Sequence, residues 1–129
     1  MGMSGNLPGD VEGAPALSLT ARTVGDIAVV EIHGILDATT REQFAAFLAD
    51  TAARHREGMI LDLGGVSFMD SRALGLIVHY WQASTGAGTR FALVGVQYSR
   101  SKVMWVTGLA GRLPLYDSLD DALAGLRES

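Results

Sequence analysis

Cysteine is absent from the 129 residues, which excludes disulfides and thiolate chemistry. No apolar run approaches the ~20 residues that span a bilayer, and the longest, Ala73 to Trp81, is interrupted by His79. The amino-terminal residues lack a basic stretch followed by an apolar one, so no secretory signal is read there. Positive charge is in deficit: ten Lys and Arg against fourteen Asp and Glu leave a net charge of −4, and the basic residues are scattered. Nucleic-acid binding needs a basic face that displaces counterions from phosphates. Neither nucleic acid nor membrane is therefore expected as a partner, and the cytoplasm is the expected compartment.

Signatures of catalysis are missing too. There is no Gly-x-Ser-x-Gly elbow and no Gly-x-x-x-x-Gly-Lys loop, and His33, His55 and His79 show no metal-ligand spacing. Asp62 sits inside a predicted strand without the acidic pair of a phospho-aspartate receiver. No enzyme activity, metal or cofactor is expected.

What is present is an ordinary globular composition, 48% hydrophobic and 19% charged, long enough for one domain. Residues 1–15, rich in Gly, Pro and small side chains, read as a flexible tail because they hold too little apolar surface to offset ordering. Residues 16–129 read as the domain. Leu17, Leu19 and Ala21 alternate with polar residues as a half-buried strand. Val24-Gly25-Asp26 is a turn, and Ile27 to Ile32 a second strand, which makes a hairpin.

Thr39-Thr40-Arg41-Glu42 fits a capping box with Thr39 as N-cap. The helix it opens carries Phe44, Phe47, Leu48 and Thr51 and is expected to end near Gly58. Met59 to Leu63 reads as a central strand covered on both faces, followed by a loop from Gly64 to Met69. Leu74, Ile77, Val78 and Trp81 then mark an amphipathic helix starting at Asp70 or Ser71 and closed by Gly86 and Gly88. Phe91 to Val94 is a short strand and Ser99 to Val106 a short helix. In that helix Met104 and Trp105 cannot both lie deep in the core; an exposed Trp would suit a partner anchor, while the usual burial of Trp favours partial core burial. Leu113 to Tyr116 is an edge strand because of Pro114, and Ser118 opens a last helix. The order predicts an α/β fold: a mixed sheet of four to five strands with an amino-terminal hairpin, packed with about four helices.

One segment carries chemistry. Val66-Ser67-Phe68-Met69-Asp70-Ser71-Arg72-Ala73-Leu74-Gly75 places an Asp and a Ser at a helix start just after a central strand. Free main-chain N–H groups and the helix dipole favour an anion there. A phosphate on the Ser would add about −1.5 to −2 charges near pH 7 and change the surface rather than the fold. Ser71 also suits a plain N-cap, Asp70 a cap or a contact that positions the hydroxyl, and Asp37 a cap of the first helix.

Phe-Met-Asp-Ser followed by Leu-Gly resembles the signature of bacterial anti-sigma factor antagonists, single STAS domains. Gly34-Ile35-Leu36-Asp37 resembles the family's turn before its first helix, and Thr107-Gly108-Leu109 its late Gly-Leu pair. The match covers about Leu17 to Leu126. By that resemblance Ser71 is the phosphate acceptor, and Asp37, Thr39, Asp70, Arg72 and Gly75 belong to the partner face. The resemblance also implies an anti-sigma factor kinase of the GHKL type, which the unphosphorylated protein binds so that a sigma factor is freed, and a PP2C-type phosphatase. It leaves open a constitutive scaffold of a stressosome-like or lipid-transport ATPase complex. The chain departs from the family pattern where Arg72 and Ala73 replace a small Ser or Thr and a Gly, and where Ile35 replaces an acidic residue.

Overall fold

The computed structural model describes residues 15–127, so all but the last residue of the expected tail lies outside the described residues. Strand β1 (Leu17–Val24) and β2 (Ile27–Leu36) form the expected antiparallel hairpin. Its two-residue turn works because Gly25 adopts a φ of 63°. Helix α1 (Arg41–Arg54) leads into β3 (Gly58–Met69), and α2 (Ser71–Ala87) into β4 (Arg90–Val94). A 3-10 turn (Tyr98–Arg100), the short α3 (Lys102–Val106) and a second 3-10 turn (Leu109–Gly111) precede β5 (Leu115–Tyr116) and α4 (Leu119–Arg127). The five strands lie in the order β1-β2-β3-β4-β5, with every pairing after the hairpin parallel.

The two-residue period of the strands splits the core. Val30, Ile32, Leu61, Leu63, Phe91 and Leu93 face one way and pack on Phe44, Leu48, Leu74, Ile77 and Met104 of α1 to α3. Ile27, Val29, Ile60, Ala92 and Val94 face the other way and pack on Ala122 and Leu126 of α4. Burial on both faces explains why β2, β3 and β4 are nearly continuous apolar runs. Each fully buried Leu or Phe contributes about 1.5–3 kcal/mol.

Several local expectations are corrected. Thr39 is not the N-cap of α1. Thr40 holds that position without a side-chain cap, because its buried hydroxyl donates to the Ile35 carbonyl at 2.7 Å and accepts from the Asp37 N–H at 3.1 Å. Helix α1 ends at Arg54 rather than near Gly58. Gly58 is needed as the first residue of β3, where a Cβ would come within 2.7 Å of the Arg90 carbonyl oxygen.

The stretch Gly64 to Met69 is strand, not loop. Gly64 was expected to end the strand, yet β3 runs through it and Gly65 in parallel with β2, with register shifts between Glu31 and His33 and again between Gly34 and Ile35. The His33 ring lies over Gly65, in the space a Cβ would need. The helix expected over Ser99 to Val106 is broken at Ser101 into the 3-10 turn and α3. Gly86 lies inside α2, which closes on Gly88 in the left-handed region at φ 74°. Trp81 is only partly buried, and Ala21 is exposed although its alternation suggested burial.

Candidate functional site

The site forms where β2 and β3 end side by side. Ile35 pairs with Phe68 and Leu36 with Met69, and the Asp70 N–H donates to the Leu36 carbonyl at 2.9 Å. The next residues along the two chains are Asp37 and Asp70, so parallel register alone brings two loops together that are 33 positions apart. The carboxyl ends of parallel strands are where open α/β sheets commonly bind ligands.

Asp70 caps α2. Its Oδ1 accepts from the N–H groups of Arg72 and Ala73, both at 3.0 Å, with an extended backbone (φ −97°, ψ 176°). Ser71 is therefore the first helical residue and not the N-cap. Its side chain is exposed, and among the described residues nothing hydrogen-bonds its hydroxyl. The amides of Arg72 and Ala73, expected to be free for an anion, are already taken by Asp70.

Asp37 is held by its own loop. The Thr39 hydroxyl and N–H both donate to Asp37 Oδ1, the latter at 2.9 Å. The Thr39 hydroxyl is the main reason the Asp37 carboxyl sits below its ordinary pKa of 3.8. Gly34 lets this loop form: its φ is 116°, and the Ala16 carbonyl occupies the space where a Cβ would stand.

Arg72 and Gly75 lie on the exposed side of α2 with Ser71, one helical turn separating Ser71 from Gly75, while Ala73, Leu74 and Ile77 face the core. A Cβ on Gly75 would meet nothing within 4 Å. Ala73 is 5% exposed and its methyl fills core space, so this departure from a Gly is accommodated by packing. All six expected site residues thus lie on the β2–α1 loop or the first turns of α2.

A neighbouring wall adjoins these residues. A groove of about 510 Å³ runs from Phe68 and Ser71 to Arg100, Lys102, Val103 and Val106. Phe68 is 52% exposed beside the buried Met69, and strand alternation did not reveal it, because Val66 two positions earlier is buried. Arg100 and Lys102 gave no local signal, because they reach the groove only through packing of the 98–106 segment beside the end of β3. Of the pair left open in α3, Met104 is buried and Trp105 is 39% exposed, its ring edge-on to Tyr98 at 5.2 Å. Among the described residues no group of His, Cys, Asp or Glu is arranged to hold a metal, and no helix is long and apolar enough to cross a membrane.

The molecule thus combines a five-stranded sheet that opens on an amino-terminal hairpin with an exposed Ser one residue past a helix cap. The chain belongs to the STAS domain family, whose family model matches residues 18–122. It is 27% identical over 101 residues to the anti-sigma F factor antagonist of Paenibacillus polymyxa, covering 78% of this chain and 86% of that one. An anti-sigma factor antagonist from Mycobacterium paratuberculosis superposes with a TM-score of 0.79 at 26% identity, covering 88% of this chain and 97% of the other. SpoIIAA, an anti-sigma factor antagonist whose structure is known in unphosphorylated and phosphorylated forms, shares the fold at 22% identity, with TM-scores of 0.71 and 0.64. The unphosphorylated form aligns over 87% of this chain and 98% of its own; the phosphorylated form, over 83% and 97%.

Proposed function

We propose that the chain is an anti-sigma factor antagonist switched by phosphorylation of Ser71. Unphosphorylated, it binds an anti-sigma factor kinase of the GHKL type and thereby releases a sigma factor. The kinase phosphorylates Ser71 with its own ATP, and a PP2C-type phosphatase restores the binding form. The observation that carries this reading is the free, exposed Ser71 hydroxyl beside an intact Asp70 cap. Modification there leaves the helix start in place and adds charge to the surface that Asp37, Thr39, Arg72 and Gly75 share. The chain supplies a substrate hydroxyl; the base that activates it comes from the kinase.

The test is incubation of the purified chain with the GHKL-type anti-sigma kinase of the same genome and Mg-ATP, followed by mass mapping. One phosphate on Ser71 is expected. Ser71→Ala keeps binding and loses the modification, while Ser71→Asp loses binding. A phosphate elsewhere, or full binding by Ser71→Asp, overturns the reading. A second reading, a constitutive scaffold of a stressosome-like or lipid-transport ATPase complex, draws support from Arg72. Its exposed guanidinium adjoins the acceptor and has no carboxylate partner among the described residues. It predicts partner binding that is unchanged by Ser71→Asp.

A further inference from the structure

The groove beside Ser71 combines two features that rarely stay exposed without reason. Its walls carry apolar side chains: Phe68 is 52% exposed and Val106 82%. These two are among the five large hydrophobics left exposed in the described residues, and the other three are Ile35, Tyr98 and Trp105. Ile35 is the strand partner of Phe68, so the apolar surface continues across β2.

The second feature is charge. Arg100 and Lys102 line the groove and are solvent-exposed, and neither is ion-paired among the described residues. Asp70 is the one carboxylate lining it, and its Oδ1 is committed to the helix cap. In a chain of net charge −4, this groove is locally positive. On the wall that bears the cations, the helical run is interrupted at Ser101, whose buried hydroxyl has no hydrogen-bond partner among the described residues.

We propose that this groove is a docking site for a segment of a protein partner that presents an apolar side chain flanked by carboxylates. The apolar side chain covers Phe68 and Val106, and the carboxylates pair with Arg100 and Lys102. Ser71 lines the same groove. A phosphate on it places about −1.5 to −2 charges against the same cations, with the amides of Arg72 and Ala73 already used by Asp70. The modification therefore excludes an acidic segment by occupying its counter-charges and repelling its carboxylates. That regulatory consequence rests on the phosphorylation proposed above; the docking chemistry does not.

The experiment uses the full-length chain, 15N-labelled, in a heteronuclear NMR titration without any kinase. The probes are two octapeptides with one central Phe-Leu pair, flanked by Glu in one and by Lys in the other. The Glu-flanked peptide is expected to shift amides of 68–72 and 98–106, with affinity falling as salt rises, and the Lys-flanked peptide to leave them unmoved. Arg100→Glu with Lys102→Glu removes the shifts while the rest of the spectrum stays as in the wild type. Phe68→Ser, at an exposed position, weakens them. Phosphoserine encoded at position 71 abolishes them. No shift at millimolar peptide, equal shifts with the Lys-flanked peptide, or shifts mapping elsewhere overturns the docking site. Shifts that persist in the phosphoserine chain overturn its regulation. Failure of kinase phosphorylation at Ser71 would sink the proposed switch and leave this result standing.

Discussion

Asp37 shows how one side chain sets the geometry of a loop. Its carboxylate accepts from both the hydroxyl and the N–H of Thr39, and these bonds hold its pKa down. The sign follows. A depressed folded-state pKa contributes stability that is present above the unfolded value of 3.8 and is lost as pH falls through the folded value. Thr39→Val removes the largest cause, so a carboxyl-carbon NMR titration should find the Asp37 midpoint displaced upward. An unchanged midpoint would mean the Thr39 hydroxyl is not its partner in solution. Ser101 is the opposite case, a buried hydroxyl without a partner. Leaving such a group unsatisfied costs about 1–3 kcal/mol. Ser101→Ala removes the group together with its penalty, and thermal unfolding of this variant should occur at the wild-type temperature or a few degrees above. A marked drop would show that the hydroxyl has a partner after all.

Helix α2 separates stability from recognition along its own length. The Asp70 cap satisfies two amides that would otherwise be orphaned. Asp70→Ala is expected to destabilise the domain by about 1 kcal/mol, seen as a drop of about 4 °C in Tm, whereas Asp70→Asn should retain most of the cap. Gly75 sits on the exposed side of the same helix with open space around it. Gly75→Ala should therefore stabilise by about 0.5–1 kcal/mol in chemical denaturation, since Ala is the better helix former. If Gly75 belongs to the partner face, that same variant binds the kinase less well while being more stable. Such a split cannot arise from a structural role alone. Element boundaries follow similar logic. Gly58 and Gly64 look like breakers in a local reading, yet both lie in β3, where the Arg90 carbonyl leaves no room for a side chain at Gly58.

Across the whole molecule, the layers keep Ser71, the proposed phosphate acceptor, apart from the core. Ser71 is exposed at the rim, and the nearest buried residues of its helix, Ala73 and Leu74, point into the larger apolar layer. Phosphorylated and unphosphorylated chains should accordingly melt within a few degrees of each other, because the Asp70 cap and the core stay in place and a charge in the first turn of a helix is worth only about 0.3–1 kcal/mol. A large shift would place the modification in the folding energetics and argue against a surface switch. Leu61→Ala is the contrasting case. Leu61 is fully buried in the central strand, and its truncation should lose about 2–5 kcal/mol in a denaturant titration.

The α/β class, the hairpin, the amphipathic helices and the Asp70-Ser71 helix start were all legible because they rest on short-range periodicity and turn chemistry. The same was true of the membership implied by Phe68 to Gly75, since a family motif is contiguous. The role of Thr40, the strand character of Gly64 to Met69 and the break at Ser101 were not legible. The first two depend on carbonyls that only the folded loop presents or on pairing with a strand distant in sequence; nothing in the structure explains the break at Ser101. The groove is the clearest instance. Phe68 comes from the end of β3 and Ser71 from the start of α2, while Arg100, Lys102 and Val106 come from a segment some thirty positions later. Local pattern can say which face of a strand or helix turns outward. Only the register of β3 against its neighbours, and the packing of the 98–106 segment beside it, bring those outward faces to a common surface.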